Sequence, residues 1–282
     1  IKIRKNYDIP ILCLGIINPK YMNICEKNNI DITITNLNYL RQIKNKKLNI
    51  HIKIDTGMNR LGVKNKEEFD NIVTEIKSSN LNIKGIYTHI FEASNKKKIE
   101  VQIDKFKYIT SSIDLNNIDI IHIAQSDTLV NYPKIDFTNG CRLGIIMYGL
   151  NDNKLALKDT FKLVSEIIEI KNIKKGETVG YNAIYKAKED IKIGIVAIGY
   201  ADGISRKLSG AHIYINNKKY EIIGNICMDM LMVKIDNSVK LYDKVYIYKD
   251  INHIKDLSKY LKTIPYELIC SVSKRVFRKY IK

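Results

Sequence analysis

The chain has 282 residues, of which 47 are Lys or Arg and 30 Asp or Glu, so its formal net charge is +17. With 45% apolar residues, 27% charged residues, 4 Pro and 14 Gly, the composition is that of a packed globular protein and excludes a collagenous or disordered chain. No apolar run approaches the roughly 18 residues of a membrane span, and the apolar stretch of IKIRKNYDIPILCLG is too short for a signal peptide, so the chain reads as soluble and cytoplasmic.

Short β-branched runs predict strands at 11–15, 31–35, 50–55, 85–90, 118–125 and around 141–145. Helical patterns fall between them, as in residues 66–80, where Phe69, Ile72, Val73 and Ile76 repeat at i, i+3, i+4 and i+7. Such alternation is the signature of β-α units around a parallel sheet. After about residue 155 the grammar becomes strand–turn–strand, in residues 162–180 and 212–236, with Asn216-Asn217 suited to a tight hairpin. This predicts one domain over 1–155, a β-domain over 156–282 and a terminal helical segment over 251–281. A closed (β/α)8 barrel needs eight units in about 250 residues, whereas the first half offers about six in roughly 150. An open doubly wound sheet would normally show a G-x-G-x-x-G loop, which is absent. The expectation is therefore an α/β fold: a TIM barrel lacking its first two β-α units, followed by a mainly antiparallel β-domain.

The positive charge is dispersed along the chain beside an excess of Ile and Asn, which argues against a nucleic-acid partner. Cys13, Cys25, Cys141, Cys227 and Cys270 form no C-x-x-C pair and read as reduced thiols. The histidines His51, His89, His122, His212 and His253 lack ligand spacing, so no metal is expected, and Ser126 lacks a nucleophile elbow. Polar residues do recur at the strand ends, where barrel enzymes keep their catalytic groups: Lys53, Asp55 and Arg60, then Thr88 and His89, then His122, Gln125 and Ser126, then Arg142 and Gly144. His51 and His122 read as inward-facing structural groups. A site rich in Arg, Lys, His, Ser and Tyr suits an anionic ligand bearing phosphate and carboxylate.

Eight blocks resemble, in order and spacing, those of the alanine racemases, fold-type III enzymes dependent on pyridoxal 5'-phosphate: HIKIDTGMNRLGV (51–63), GIYTHI (85–90), HIAQS (122–126), CRLGIIMYGL (141–150), VGYNAIY (179–185), AIGYADGISR (197–206), GNICMDM (224–230) and KRVFR (274–278). The resemblance implies interconversion of L- and D-alanine for cell-wall precursor supply, by a two-base mechanism in a homodimer. It makes Tyr181 the base for L-alanine, acting in trans together with Met228. A free Tyr, of pKa about 10, needs cationic neighbours for that task, and His89 and Arg142 resemble them. Arg142 also resembles the partner of the cofactor's pyridine nitrogen. Ser126 and the amides of Gly144 and Ile145 resemble the phosphate cradle.

By the same resemblance Arg60 anchors the phenolic oxygen and the substrate carboxylate, and Lys53 is the lysine whose carbamate holds Arg60. Met228 and Asp229 line the substrate carboxylate. Tyr200 and Arg206 belong to the substrate channel, although surface packing explains them nearly as well. The sequence departs from the family at Gln125, Asn225, Lys274 and Phe277, where Asn, Arg, Tyr and Pro are usual. The K-A-x-A-Y-G-H-G block, whose lysine binds the cofactor as a Schiff base, is absent. The expectation is an N-terminally truncated chain, inactive alone. A racemase for another amino acid such as serine, and an inactive cofactor-binding fragment, are the alternatives.

Overall fold

In the computed structural model, which describes residues 1–150 and 155–281, six strands pair in parallel and in chain order: β1 (Ile11–Cys13), β2 (Ile30–Ile34), β3 (Leu48–Lys53), β4 (Leu81–Tyr87), β5 (Ile120–Gln125) and β6 (Gly140–Arg142). The helices α1 (Lys2–Asn6), α2 (Met22–Lys27), α3 (Leu37–Ile43), α4 (Lys66–Lys77), α5 (Lys96–Ile109) and α6 (Ser126–Asn131) precede and link them. The sheet is an open half-barrel, and it belongs to the first of two compact units, Ile1–Gly144 and Ile145–Lys282.

Side chains alternate across a strand, and here the alternation sorts chemistry. Ile32, Ile34, Ile50, Ile52 and Ile54 join one core with Leu40, Ile43, Phe69, Ile72 and Phe106 of the helices. Asp31, Thr33, Thr35, His51, Lys53 and Asp55 take the opposite face and are buried as well. Parallel strands covered on both faces normally read as continuous apolar runs, so this buried polar file is a departure that needs partners. Helix α4 starts where Asn65 accepts a hydrogen bond from the Glu68 amide at 2.8 Å, and buries Phe69, Ile72 and Ile76 as the periodicity predicts. It stops at Lys77, three residues before the predicted end. Strand β4 ends at Tyr87, so Thr88 and His89 lie just beyond it.

The second unit contains a closed antiparallel barrel in the order β10-β13-β12-β11-β14-β7. Its strands are β7 (Leu163–Ile173), β10 (Ile191–Val196), β11 (His212–Ile215), β12 (Lys218–Ile223), β13 (Leu231–Ile235) and β14 (Lys244–Tyr248); β8 (Thr178–Val179) and β9 (Tyr185–Lys186) form a separate ribbon. Ile167, Val196, Ile213, Ile222, Leu231, Val233 and Val245 fill its core. The Asn216-Asn217 hairpin forms as predicted, with both residues at positive φ (49° and 63°) and Ile215 paired to Lys218.

Two expectations are corrected. Residues 162–180 do not fold back on themselves: β7 pairs with β10 and β14, because the 11-residue strand is long enough to close the barrel on both edges. The terminal segment is not one helix but α7 (Ile251–Tyr260) and α8 (Pro265–Ser271), broken where Lys262 takes φ 54° ahead of Pro265. No helix among the described residues is long and apolar enough to cross a membrane.

Candidate active site

Arg142, at the end of β6, carries the centre of the first unit's polar face. Its Nη1 donates to His122 Nδ1 and to the His122 carbonyl, both at 2.7 Å, and its Nη2 to the carbonyls of Thr88 (2.6 Å) and Ile123 (3.2 Å), with His89 Nδ1 at 3.4 Å. The guanidinium also lies 5.1 Å over the Tyr87 ring. Every partner is neutral, and no carboxylate pairs with Arg142 among the described residues. Burial presses the guanidinium down to about 10, which is still a full cation at neutral pH.

The same cation and the same burial act on the histidines. Desolvation first, then Arg142, pushes His89 down to about 4 and His122 down to about 3. Both are neutral in the folded chain, which corrects the expectation of His89 as a cationic neighbour: of His89 and Arg142, only Arg142 carries the charge, because burial and that guanidinium keep the imidazole unprotonated. A folded-state value below the unfolded one means that protons bind the unfolded chain preferentially as pH falls. Stability present above about pH 6.5 is therefore lost towards pH 3, at about 1.4 kcal/mol per pH unit for a fully shifted group. Urea unfolding at pH 7 and pH 5 is expected to show His122 alone removing about 2 kcal/mol. A His122→Asn variant should lose that part of the slope.

Gln125 accepts from the Asp127 amide at 2.6 Å, and so does as N-cap of α6 what the family's usual Asn could do. Behind it Ser126 is buried, and its Oγ accepts from the Gly144 amide at 2.9 Å, which leaves the hydroxyl proton free to donate outward. A Cβ at position 144 would fill the space 3.6 Å from that oxygen. A hydroxyl, a glycine backbone and a half-buried cation with no carboxylate partner among the described residues form a donor set that fits a phosphorylated aromatic cofactor. Ile145 opens the second unit, and its side chain packs into that unit's core.

The loop DTGMNRLG is pinched at its base. Asp55 donates its amide to the Val63 carbonyl (2.8 Å), Val63 donates to that of Lys53 (2.9 Å), and Asp55 Oδ1 accepts from the amides of Gly57 (2.9 Å) and Asn59 (3.0 Å). Arg60 is thereby held at an exposed tip. Lys53 is buried, donates to the Leu61 carbonyl at 3.0 Å, and has its pKa lowered by burial first and by Arg60 second.

In the second unit Tyr181 is exposed, its backbone carbonyl held by Asn225 Nδ2 at 2.9 Å. Tyr200 and Ala201 donate their amides to the carbonyls of Cys227 and Met228, each at 3.0 Å, so the GYADG and CMDM loops are stitched together. Arg275 joins Asp202 (2.6 Å) to Asp229 (2.5 Å), and Asp202 Oδ2 accepts from the Gly199 amide at 2.9 Å. Arg206 is exposed. Sequence reasoning missed Tyr87, Arg275 and Asp202. Arg275 and Asp202 lie within the motif blocks 274–278 and 197–206, but their pairing spans 73 residues and has no local signal. Tyr87 is the odd-numbered neighbour of the polar file and could have been found by extending the alternation.

Residues 1–152 match the profile of the alanine racemase N-terminal domain, and residues 160–280 that of the C-terminal domain. The chain belongs to the alanine racemase family. Alanine racemase 1 of Bacillus subtilis (strain 168) is 35% identical over 297 residues, covering 99% of this chain and 76% of the relative. The solved alanine racemase of Clostridium difficile 630 superposes with TM-score 0.91 at 30% identity, over 98% of this chain and 77% of that one. A histidine racemase from Leuconostoc mesenteroides subsp. sake has TM-score 0.90 at 24% identity, over 100% and 81% of the two chains. That last likeness is one of fold alone.

Proposed function

We propose that this chain takes part in the racemisation of alanine, for the supply of D-alanine to cell-wall precursors, with pyridoxal 5'-phosphate as cofactor. The observation that carries the reading is Arg142, a half-buried cation whose partners among the described residues are all neutral, beside the Ser126–Gly144 cradle. Bound pyridoxal phosphate supplies an electron-withdrawing ring that acidifies the α-C–H of an attached amino acid. The Ser126 hydroxyl and the Ile145 amide would hold the phosphate, and the Gly144 amide would join them by turning from Ser126 Oγ to the ligand. Arg142 would donate a hydrogen bond to the pyridine nitrogen without giving up its proton, which weakens electron withdrawal compared with an Asp partner and limits side reactions.

Tyr181 serves one face of the α-carbon as base; Arg142 supplies the positive charge that stabilises its phenolate, and neutral His89, its Nδ1 turned to Arg142, would donate its Nε2–H. Arg60 and the Met228–Asp229 loop bind the substrate carboxylate, and Tyr200 and Arg206 border the channel. Tyr181, Ile184, Met228 and Met230 are all exposed on the second unit, an apolar set suited to burial by a second copy, so Tyr181 and Met228 act in trans in a homodimer. The family's lysine block is not among these 282 residues, and the polypeptide assayed alone is expected to exchange the α-proton on the Tyr181 face without inverting the centre.

Incubation with pyridoxal phosphate and L-alanine in deuterium oxide, followed by proton NMR and chiral analysis, tests this. Deuteration of L-alanine without D-alanine is the expected result. D-alanine would place a second base within these residues. Exchange of L-serine in preference to alanine would change the substrate, and exchange of neither would remove the reading.

Lys53 carries a second expectation. Its lowered pKa favours the neutral amine, which adds carbon dioxide to give a carbamate and a proton; the carbamate's negative charge would then hold Arg60 where an ammonium repels it. Carbon-13 NMR with labelled bicarbonate is expected to show one carbamate signal that a Lys53→Met variant lacks.

A further inference from the structure

The polar face of the half-barrel contains more than the site uses. From Arg142 a file of buried groups runs back across β5, β3 and β2. His122 Nε2 lies 3.2 Å from His51 Nδ1, and His51 Nε2 lies 3.8 Å from Asp31 Oδ2, with no hydrogen-bond partner within 3.5 Å among the described residues. His51, His122 and Asp31 are 2%, 5% and 4% exposed. Asp31 is in turn held by Lys84 Nζ at 2.8 Å and Asn49 Nδ2 at 3.4 Å.

The direction of the file is forced at one end. Arg142 can only donate, so His122 Nδ1 must present its lone pair. The proton of neutral His122 is then on Nε2 and donates to His51 Nδ1. His51 in turn carries its proton on Nε2, the buried atom that faces the Asp31 carboxylate. Packing holds the file in register. The Tyr87 ring stacks on His122 at 4.5 Å and 14°, and its hydroxyl is tied to Thr33 Oγ1 at 3.0 Å. A Cβ on Gly85 would stand 2.2 Å from His51 Nδ1, so glycine there is what admits the imidazole.

We infer that His51 and Asp31 are positioning residues for Arg142: they fix the tautomer of His122, so that a lone pair and not an N–H meets the guanidinium. Neither touches substrate or cofactor. Without His51, the Nε2–H of His122 is buried with no acceptor. The other tautomer becomes competitive, and it sets an N–H against the N–H of Arg142. A ring orienter behind the group that contacts the ligand is the arrangement in which outer partners matter most. The consequence for cofactor binding rests on the reading of Arg142 under the proposed function; the tautomer claim does not.

The test is nitrogen-15 NMR of the cofactor-free protein. Wild type is expected to show His122 and His51 each protonated on Nε2 alone, with slowly exchanging Arg142 guanidinium protons. His51→Phe and Asp31→Leu are expected to broaden or average the His122 signals and to speed exchange at Arg142. His51→Asn, whose Oδ1 stands where Nδ1 was, is expected to restore both. Pyridoxal phosphate affinity should fall about tenfold in His51→Phe and recover in His51→Asn. A proton on His122 Nδ1 in wild type, or unchanged His122 and Arg142 signals in a folded His51→Phe, overturns the inference. If wild type binds no pyridoxal phosphate, the proposed function fails while the NMR result still decides the role of His51 and Asp31.

Discussion

Replacement of Tyr181 by Phe is expected to slow deuterium exchange at the α-carbon of L-alanine by about 10²- to 10⁴-fold, while pyridoxal phosphate affinity stays unchanged. Only the phenolic oxygen is lost. Among the described residues that hydroxyl makes no hydrogen bond, and the side chain is 68% exposed, so unfolding free energy should move by less than about 0.5 kcal/mol. The turn that presents Tyr181 is set by its backbone, with Gly180, Asn182 and Ala183 all at positive φ and Asn225 on the Tyr181 carbonyl, none of which the substitution touches. A second arm tests action in trans. Subunits carrying Tyr181→Phe and subunits carrying Arg142→Ala, each inactive, should regain about a quarter of wild-type exchange when mixed and refolded, because mixed dimers hold one intact composite site. No recovery would mean that Tyr181 serves the cofactor cradle of its own chain.

The largest expected loss of stability is at Gly203. Its φ is +99°, and a Cβ there would lie 2.0 Å from the Ser271 carbonyl oxygen and 2.9 Å from Val272 Cα. Both obstacles are backbone, so no rotamer can relieve the clash. Gly203→Ala is expected to cost about 4 kcal/mol, combining left-handed strain with overpacking. The displacement would also pull on the Ser271 Oγ bond to the Gly203 carbonyl (3.0 Å), the Ser273 amide bond to the Asp202 carbonyl (2.9 Å) and the Asp202–Arg275–Asp229 bridge. Gly176 is the control: its φ is +93° but nothing among the described residues lies within 4 Å of an added Cβ, so Gly176→Ala should cost only about 1 kcal/mol of strain. Urea unfolding of the two variants beside wild type measures the difference. Equal effects would show that strain and not crowding governs Gly203.

The legible parts of the fold were those written in local patterns. The six parallel strands and α4 follow from β-branched runs and helical spacing, and the Asn216-Asn217 turn follows from residues that tolerate positive φ. The failures were matters of partner choice. Nothing in residues 162–180 says that β7 seeks β10 and β14, because an antiparallel strand offers the same hydrogen-bonding edge to any partner. Nor does the periodicity of 251–281 say where the last helix stops.

For the site, residue types at strand ends singled out Lys53, Arg60, His89, Ser126, Arg142 and Gly144, and the motif blocks added Tyr181, Met228 and Asp229. By itself, then, the sequence determined family membership, the order of elements and the inventory of chemical groups, since these are properties of neighbours along the chain. Only the tertiary structure decided that Arg142 meets no carboxylate among the described residues, that Gly144 and Ser126 share a hydrogen bond across 18 residues, and that His51 backs His122 across 71. Those relations depend on strand register and side-chain direction. A register shift of one residue would turn His51 to the apolar face, and no local pattern encodes the partner strand against which register is set.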